Sequence, residues 1–473
     1  MNKKCQVFTP QNYVEKLLDD VGYTSNLFGK KVLENSCGDG NILAKVVERY
    51  IKDCRAQGLS RTKIKNGLKR DIIGVEIDKK QSTKCIERLN KILEDSNIQQ
   101  ITWQIYTTDY LKNKLDQKFD YIVGNPPYIT YSEMKSSEQK YLRNHFAACK
   151  EGKFDYCYAF IEKSLEELTA NGKMAYLIPV SIFKTVFGKT LRKSMKPYVR
   201  KITEYTQEGV FDAALVKPAI IVLEKNRNSN QLQYIDDACE VSRIIEIGSL
   251  LAKWTFNDTI GGSLRFGDYF KVAHVVATLL NKAFVLSDFE ETEDSYIVDG
   301  CYIEKAVVRA TDTPKNRQYG KEEKIIFPYF YTDGKLNRYT EEQFKEMFPG
   351  AFEYLERFRD GLLARKRDNA SLWFEYGRSQ ALAGISKEKL LISTVISSNV
   401  EVYELSEDSI PYAGMYVVPS TDDENMNLQR AKAILESKNF YQYVQNIGIH
   451  INGNSIRVTS KDIENYMFGK LGE

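Results

Sequence analysis

Several residue types that mark particular protein classes are scarce or scattered in this chain. Only 3 histidines occur in 473 residues, and the 8 cysteines, at positions 5, 37, 54, 85, 149, 157, 239 and 301, form no Cys-x-x-Cys pair. This pattern favours neither a zinc site nor a disulfide framework, so reduced thiols and no metal are expected. No run approaches the ~18 to 20 apolar residues of a membrane span, and no secretory apolar region precedes Thr9. We expect a globular, cytoplasmic protein without a membrane partner.

Charge and size set further bounds. The chain has 67 basic and 64 acidic residues and a formal net charge of +3. That charge is too small to predict a polyanionic partner, so any nucleic-acid surface must come from local clusters. With 42% hydrophobic residues in 473, the chain can bury large cores, and we expect two domains or more.

The first half alternates short apolar segments with amphipathic ones, which is typical of an α/β sheet. Predicted strands lie at 31–33, 71–75, 119–123, 174–178 and 219–223, and a helix is predicted over 155–168. A polar stretch at 226–230 breaks the pattern. The later half is more irregular and aromatic, with turn clusters at 261–263, 332–334 and 448–454. Because ligands of α/β sheets bind beyond the carboxyl ends of the strands, polar residues at those ends are the functional candidates.

The turn after the third predicted strand is the most informative segment. Asn125-Pro126-Pro127-Tyr128 contains two prolines, and each fixes its own φ and pushes the preceding residue into an extended conformation. The Asn125 side-chain oxygen and the Pro126 carbonyl are therefore fixed acceptors for the two hydrogens of one planar amino group. Tyr128 offers a ring face to the base that carries this amine. The simpler alternative is a rigid strand-to-helix turn with a core tyrosine.

Glycines and acids follow the other strands. The segment from Glu34 to Gly40 precedes the helix-like stretch 41–47, where glycines let a ligand approach the backbone closely. Glu76 and Ile77 follow the second strand and place a carboxylate for a ribose diol beside an apolar side chain for an adenine ring. Asp109 lies in a third such turn, at 108–111. A nicotinamide enzyme is the alternative, but its fingerprint needs a third glycine and an acid ~20 residues on, which this chain lacks.

With these motifs the chain resembles the S-adenosylmethionine-dependent adenine-N6 DNA methyltransferases of the gamma arrangement, in which the cofactor motifs precede the catalytic turn and one specificity region follows it. The resemblance covers nearly the whole chain and includes Phe8-Thr9-Pro10 as an amino-terminal cofactor motif. It implies an α/β fold with a Rossmann-like class I methyltransferase domain over 1–240. A second, mixed α/β target-recognition domain would follow over 241–473.

The resemblance also assigns roles to individual residues. The catalytic turn would comprise Asn125, Pro126, Pro127 and Tyr128, and the target base would stack against Tyr128 and Phe211. The residues that would bind S-adenosylmethionine are Thr9, Glu34, Ser36, Gly38, Gly40, Glu76, Ile77, Asp109, Tyr110, Asn125 and Phe160.

The carboxyl half resembles the TaqI-like specificity domains of this group in the segments 267–271, 277–284, 352–355 and 373–378. A dense basic stretch with interleaved aromatic residues runs through it, a mixture that suits phosphate and base-edge contacts. An amphipathic helix with a solvated basic face is the alternative. A second basic cluster, over 184–201, would border the active-site cleft. The residues assigned to DNA binding are Lys193, Arg357, Arg359, Arg365, Lys366 and Arg367.

The resemblance thus implies methyl transfer from S-adenosylmethionine to N6 of an adenine flipped out of double-stranded DNA, by the modification enzyme of a restriction-modification system. Asn125 would orient and polarise the amine, because a carboxamide is not a useful base at neutral pH. A monomer is expected. A separate cognate restriction endonuclease is a compatible partner, because too little chain precedes Thr9 to hold a nuclease and the carboxyl half has no convincing nuclease motif.

Two alternatives stay open. An RNA adenine or protein-glutamine methyltransferase could use the same turn, since both substrates present an exocyclic amine or an amide. A non-catalytic DNA-binding specificity subunit could retain the same fold. Methylation assays on DNA, RNA and protein would separate the first group, and titration with the cofactor would identify the second.

Overall fold

The computed structural model describes residues 9–205, 217–238, 240–250, 252–256, 262–451 and 455–469. The chain divides into two compact units, Met1–Phe256 and Asn257–Glu473. No helix within these ranges combines the length and the apolar character that a bilayer crossing requires.

The first unit is built on one nine-stranded sheet in the order β3-β2-β1-β4-β5-β7-β6-β8-β9. Its strands are β1 (Val32–Glu34), β2 (Ile72–Glu76), β3 (Gln104–Thr107), β4 (Phe119–Gly124), β5 (Leu168–Pro179), β6 (Val199–Glu204), β7 (Pro218–Glu224), β8 (Gln231–Asp236) and β9 (Val241–Glu246). The strands β1 to β5 pair in parallel, whereas β7 runs antiparallel to both β5 and β6. All five predicted strands are present, and the Rossmann-like α/β expectation is confirmed.

Helices cover both faces of this sheet. They are α1 (Gln11–Val21), α2 (Asn41–Ala56), α3 (Arg61–Asp71), α4 (Lys79–Asp95), α5 (Ser136–His145), α6 (Cys157–Glu167) and α7 (Lys189–Met195). Residues of one strand alternate between two cores, as on β5, where Met174 and Tyr176 face one core and Ala175 and Leu177 the other. The central strands are therefore apolar on both sides, which is why they could be recognised in the sequence as short apolar runs.

The direction of winding reverses between β1 and β4. Strand β1 pairs with β2 on one side and with β4 on the other, so β2 and β3 extend the sheet one way and β4 and β5 the other. Such a reversal leaves a crevice beyond the carboxyl ends of the two strands, where ligands of doubly wound sheets bind. Glu34 ends β1 and Gly124 ends β4. The glycine segment, residues 34–40, and the Asn-Pro-Pro-Tyr turn therefore meet at this crevice.

The first unit continues beyond residue 240, where the sequence predicts a boundary. Residue 240 lies in the connection between β8 and β9, and both strands extend the main sheet. Leu250, Trp254 and Phe256 pack in the same core, and the Trp254 ring stacks on Phe183 with ring centroids 5.9 Å apart. The polar stretch 226–230 therefore connects two strands of one sheet.

The second unit contains small sheets and short helices, and it is the mixed α/β unit that was expected. Its strands are β10 (Leu264–Arg265), β11 (Phe270–His274), β12 (Val285–Leu286), β13 (Glu290–Glu291), β14 (Ser295–Val298), β15 (Cys301–Glu304), β16 (Val308–Thr311), β17 (Glu323–Ile326), β18 (Tyr329–Thr332), β19 (Lys335–Arg338), β20 (Lys389–Ile392), β21 (Val395–Ile396), β22 (Val402–Leu405), β23 (Met415–Pro419), β24 (Ile449–His450), β25 (Ile456–Arg457) and β26 (Met467–Phe468). The helices are α8 (Phe266–Tyr269), α9 (Asn281–Phe284), α10 (Pro314–Tyr319), α11 (Glu341–Met347), α12 (Pro349–Glu356), α13 (Arg359–Leu363), α14 (Leu428–Leu435), α15 (Lys438–Ile447) and α16 (Ser460–Glu464).

The largest sheet of this unit is four-stranded, in the order β11-β23-β20-β22. The predicted turn at 332–334 joins β18 to β19. Asp333 has a φ of 52° and Gly334 a φ of 71°, the pair of positive values that a tight two-residue hairpin requires.

Candidate active site

The Asn125 amide is fixed at the end of β4 by a residue far away in the chain. Its Nδ2 donates to the Thr9 hydroxyl at 3.2 Å, and Thr9 itself is buried. With the amide nitrogen engaged by Thr9, the side-chain oxygen Oδ1 is the atom that remains as an acceptor. The predicted cofactor residue Thr9 and the predicted catalytic residue Asn125 are therefore in direct contact.

The glycine segment lies against the same turn. Ser36 Oγ donates to the Asn125 carbonyl at 3.3 Å, and the Cys37 amide donates to the Val75 carbonyl at 3.0 Å. Gly40 has a φ of 86°, and a Cβ there would lie 2.6 Å from the Cys85 sulfur. Glycine is required at position 40 both by its left-handed backbone and by the close approach of α4.

Glu76 joins β2 to the glycine segment. Its two carboxylate oxygens accept from the amides of Gly38 at 2.9 Å and Asp78 at 2.8 Å. The neighbouring Ile77 is 49% exposed, unusual for a large apolar side chain at the end of a buried strand. Asp78 caps α4, because its carboxylate accepts from the Lys80 and Gln81 amides. Its role is therefore structural and differs from that of Glu76.

The third acidic turn brings together Asp109, Tyr110 and Phe160. Asp109 accepts from the Leu111 amide at 3.0 Å and pairs with Lys112 at 3.1 Å. The Tyr110 and Phe160 rings pack with centroids 5.2 Å apart, and both side chains are buried. The α6 residue Phe160 thus lies against the β3–β4 connection, although 50 positions separate it from Tyr110.

Glu34 lies deeper than a ligand-binding role alone would suggest. It is 2% exposed, and its carboxylate accepts from the Leu43 amide in the first turn of α2 at 3.0 Å. Burial, together with the nearby charges of Glu76 and Asp39, raises the pKa of Glu34 well above its usual range. In this position Glu34 ties β1 to the start of α2 beneath the glycine segment.

Beneath the site is a buried polar network that the sequence analysis missed. Asn35 Nδ2 donates to Ser164 Oγ at 2.9 Å and also to the Tyr176 hydroxyl. The Tyr110 hydroxyl contacts Ser164 at 3.2 Å and donates to Glu167 at 2.7 Å. The network connects the glycine segment to α6 and β5. Asn35 lies between the polar residues Glu34 and Ser36, so the local sequence gives no signal of this network.

Tyr128 follows the two prolines, and its hydroxyl is buried. Among the described residues this hydroxyl has no hydrogen-bond partner. Burial raises the pKa of Tyr128 well above its usual range, and Cys157 and Asp155 add smaller effects in the same direction. The residue as a whole is half-buried, so its accessible part lies outside the hydroxyl.

A cavity of about 250 Å³ lies close to this turn in the chain. Its walls come from the segment after Tyr128, the start of α6 and the end of β5, with the polar side chains of Thr130, Asp155, Ser181 and Thr185 among them. Asp155 accepts from the Cys157 amide at 3.1 Å. Burial raises the pKa of Asp155 to about 6. At ~30 Å³ per water molecule, the cavity has room for a ligand of roughly purine size.

Two sets of predicted residues remain apart from this cluster. Phe211, the second predicted stacking residue, lies outside the described residues. The basic cluster at 184–201 is largely engaged within the unit: Arg192 is buried and donates to the carbonyls of Ile182 and Ala252, and Lys201 pairs with Asp20. Lys193 is exposed.

The predicted DNA-binding arginines of the second unit also have partners within that unit. Arg357 donates to the Asp299 carbonyl, Arg359 pairs with Glu356 and lies over the Trp373 ring, and Arg367 donates to the Ser371 carbonyl. Lys366 is exposed, and no hydrogen bond or ion pair holds its amine among the described residues. DNA contact by any of these residues stays a prediction.

Fold and site define the class: a doubly wound, Rossmann-like α/β domain with polar residues at the ends of its central strands, followed by a mixed α/β unit. Residues 27–211 match the family of the Eco57I restriction-modification methylases. This match includes the glycine segment, the acidic strand ends and the Asn-Pro-Pro-Tyr turn.

Two curated relatives extend the similarity. The chain is 24% identical over 373 residues to the Type II restriction enzyme and methyltransferase RM.Eco57I of Escherichia coli, which covers 68% of this chain and 37% of that protein. It is 28% identical over 256 residues to the Type II methyltransferase M.BstVI of Geobacillus stearothermophilus, which covers 51% of this chain and 46% of that protein. The alignments therefore span less than half of either relative.

A solved structure shares the fold over nearly the full length of the chain. The Type IIL restriction-modification enzyme MmeI, determined in complex with DNA, superimposes with a TM-score of 0.60 and 15% identity, covering 96% of this chain and 64% of that one. At this identity the likeness concerns the fold. It extends through both compact units, so their combination in one chain also occurs in MmeI.

Proposed function

We propose that this chain is a DNA adenine-N6 methyltransferase that uses S-adenosylmethionine and modifies a specific site, as in a restriction-modification system. The observation that carries the proposal is the fixed Asn125 amide: Thr9 engages its nitrogen at 3.2 Å and Ser36 engages its backbone carbonyl at 3.3 Å. Because Thr9 and the glycine segment fix Asn125, its side-chain oxygen is a preorganised acceptor in the crevice between β1 and β4.

The residues at the ends of β1, β2 and β3 fit S-adenosylmethionine. Each Glu76 oxygen accepts one backbone N–H, and a carboxylate oxygen retains a further lone pair that can accept from a ribose hydroxyl. Ile77 is half exposed beside it and offers an apolar surface to an adenine ring. Apart from Gly38 and its two chain neighbours, no atom of the described chain lies within 4 Å of the position that a Cβ of Gly38 would take, so there is room for a ligand beside this backbone.

S-adenosylmethionine supplies an electrophilic methyl group when bound. The protein holds the amine that receives the methyl group. Asn125 Oδ1 and the Pro126 carbonyl accept the two hydrogens of this amine, which orients the nitrogen lone pair and stabilises positive charge as it forms on nitrogen. A carboxamide does not take the proton, so the proton leaves to water after transfer. Thr9 keeps the amide in the orientation that presents oxygen and not nitrogen to the substrate.

An adenine in duplex DNA has its N6 amine paired, so the base must leave the helix to reach Asn125. The ring of Tyr128 is the stacking surface proposed for it, with Phe211 as a second one.

The second unit is proposed to read the DNA sequence, and double-stranded DNA is the proposed partner. Exposed lysines, Lys193 in the first unit and Lys366 in the second, are available for phosphate contacts. We expect a monomer that acts beside a separate restriction endonuclease of the same specificity.

Expression in a methylation-free host tests the function directly. Single-molecule sequencing of the host DNA should detect N6-methyladenine at one sequence motif, and the Asn125→Ala variant should leave the same DNA unmodified. In parallel, purified protein with radiolabelled S-adenosylmethionine should label DNA but neither RNA nor protein. Methyl transfer to RNA or to glutamine in place of DNA would overturn the substrate assignment. An absence of cofactor binding by calorimetry would favour a non-catalytic specificity subunit.

A further inference from the structure

A strained leucine projects from the second unit. Leu279 has a φ of 59°, in the left-handed region that side chains other than asparagine, aspartate and glycine rarely adopt. Its side chain is also 44% exposed. The protein thus holds a large apolar side chain in an unfavourable backbone conformation and leaves much of it in contact with solvent. Strain of this kind persists where the surroundings impose it, often at a functional position.

The turn that carries Leu279 is held by its preceding residue. Thr278 is fully buried; its hydroxyl donates to Asn281 Oδ1 at 2.5 Å and accepts from the Leu280 amide at 3.1 Å. The Thr278 carbonyl accepts from the Gly377 amide at 3.3 Å and from the Arg365 guanidinium. This turn, 278–281, is therefore fixed by both its side chains and its backbone.

A glycine makes room for the leucine. A Cβ at Gly377 would lie 2.5 Å from the Leu279 side chain, so any larger residue at 377 would displace Leu279. The next residue, Arg378, donates its amide to the Ala277 carbonyl at 3.1 Å. Leu279 therefore rests on the backbone of 377–378 with one side, while its other side faces solvent.

Arg365 stabilises the turn 278–281. Its guanidinium donates to the carbonyls of Leu362, Thr278, Trp373 and Glu375. Burial lowers the pKa of Arg365 to about 10, so it stays a cation at neutral pH while its donors point into the protein. Its neighbour Lys366, in contrast, is exposed, as is Lys282 just after the turn.

We propose that Leu279 makes an apolar contact with the bases of duplex DNA and that Arg365 is a positioning residue for the turn 278–281, with no phosphate contact of its own. This inference rests on the proposed DNA methyltransferase function. An exposed apolar side chain in a unit that also exposes Lys282, three positions further on, and Lys366, next to Arg365, suits DNA, where a thymine methyl group or an opened base step receives apolar contacts and the phosphates receive the lysines. The strain fixes where the apolar atoms are presented.

Salt-dependent DNA binding separates the two kinds of contact. Fluorescence anisotropy would compare a duplex that carries the motif found by sequencing with a scrambled duplex, across a series of salt concentrations. Leu279→Asn tolerates the left-handed backbone, so it should unfold at a temperature no lower than the wild type. It should bind the motif duplex about tenfold more weakly, bind the scrambled duplex with unchanged affinity, and keep the wild-type slope of log affinity against log salt, since no charge is lost.

Three further variants complete the test. Leu279→Met retains a long apolar side chain and should keep the wild-type preference for the motif. Lys366→Ala should weaken both duplexes alike and reduce the salt slope by ~0.9. Arg365→Gln, in contrast, should weaken the motif duplex without changing the slope.

The outcomes distinguish this inference from the function on which it rests. If wild-type protein methylates DNA and prefers its motif while Leu279→Asn behaves identically, the role of Leu279 is refuted and the function stands. Equal losses on both duplexes, or a lower unfolding temperature together with the lost affinity, would also refute the base contact. A smaller salt slope for Arg365→Gln would refute its positioning role. If wild-type protein shows neither methylation of DNA nor preference for any duplex, both proposals fail.

Discussion

The Asn125 amide nitrogen donates to the Thr9 hydroxyl at 3.2 Å across 116 positions of sequence. In the proposed function, this contact decides which end of the carboxamide faces the substrate. We expect Asn125→Ala to lower the rate of methyl transfer by about 100-fold or more, because it removes an acceptor used mainly in the transition state. DNA binding, measured by anisotropy, should stay close to wild type. Near-normal turnover would show that Asn125 is not the acceptor.

The same contact predicts different rates of methyl transfer for two variants at position 9. Thr9→Val keeps the shape but cannot accept from the amide, so transfer should slow by roughly fivefold, corresponding to the ~1 kcal/mol of one hydrogen bond. Thr9→Ser retains the hydroxyl and should remain near the wild-type rate. Single-turnover kinetics would measure both. A loss in Thr9→Ser together with a near-normal rate in Thr9→Val would indicate that the methyl group, and not the hydroxyl, matters.

Glu76→Ala should weaken binding of S-adenosylmethionine by ~1.5 to 3 kcal/mol, the value of hydrogen bonds to a charged group. Because Glu76 also accepts from the Gly38 and Asp78 amides, the alanine variant can loosen the glycine segment as well. Glu76→Gln keeps one acceptor and the same shape, so it should lose less affinity. Isothermal calorimetry with thermal unfolding as a control would measure this, and unchanged affinity in Glu76→Ala would place the ribose elsewhere.

Two variants of Tyr128 should affect the unfolding temperature and the methylation rate differently. Tyr128→Phe should retain activity and unfold at an equal or higher temperature, because it removes a buried hydroxyl that has no partner among the described residues. Tyr128→Ala should lose ~1 to 3 kcal/mol of stacking on the extruded base. A 2-aminopurine at the target position should then fluoresce as strongly or more strongly while methylation slows. Equal inactivity of the two variants would assign the role to the hydroxyl.

Asp155 predicts how stability depends on pH. Its pKa is raised from 3.8 to about 6 by burial, with a smaller effect of Glu133. A carboxyl group whose pKa is higher in the folded state stabilises the fold fully below pH ~4, and this stabilisation is lost as the pH rises through about 6. Asp155→Asn can still cap the Cys157 amide without a charge. Its gain in unfolding temperature should therefore appear at pH 7.5 and vanish at pH 4; the same gain at both would exclude this titration.

Much of the first unit could be predicted from the sequence, for a physical reason. Strands such as β5 and β7 are buried on both faces and appear as apolar runs, which mark strands wherever they lie. Strand β9 alternates half-buried and exposed residues, and β6 contains Arg200 and Lys201, so neither resembles an apolar run. The sequence pattern therefore predicts a boundary at residue 240, between β8 and β9, whereas the first unit extends to Phe256.

The candidate site also has residues that the sequence predicts and others that it does not. Motif residues at strand ends were predictable, because a parallel sheet brings its carboxyl ends to one edge. The contact of Asn35 with Tyr176 joins residues 141 positions apart, and nothing local in the sequence indicates it. The burial of Arg192 was equally unpredictable, because local sequence cannot separate a cation that faces solvent from one that holds carbonyls.

The extension of the sheet to β9 predicts where the first unit can be separated. A fragment ending at residue 256 keeps β8, β9 and Trp254, which stacks on Phe183, and we expect it to fold and to bind the cofactor without methylating a specific sequence. A fragment ending at residue 240 loses β9 and Trp254 and should unfold at a lower temperature. Calorimetry and circular dichroism would compare them. Sequence-selective methylation by the longer fragment would refute the assignment of DNA reading to the second unit.

The hydrogen bonds around Asn125 also determine when the site can exist during folding. Thr9, Ser36 and Asn125 come from segments before α1, after β1 and after β4, and they meet only when β1 and β4 have paired across more than 80 intervening residues. Closing such loops is slow compared with the formation of local turns and helices. The acceptor geometry is therefore a late event, and a chain that is still being synthesised or only partly collapsed has no assembled amine site. Formation of this acceptor is thereby coupled to the pairing of β1 with β4.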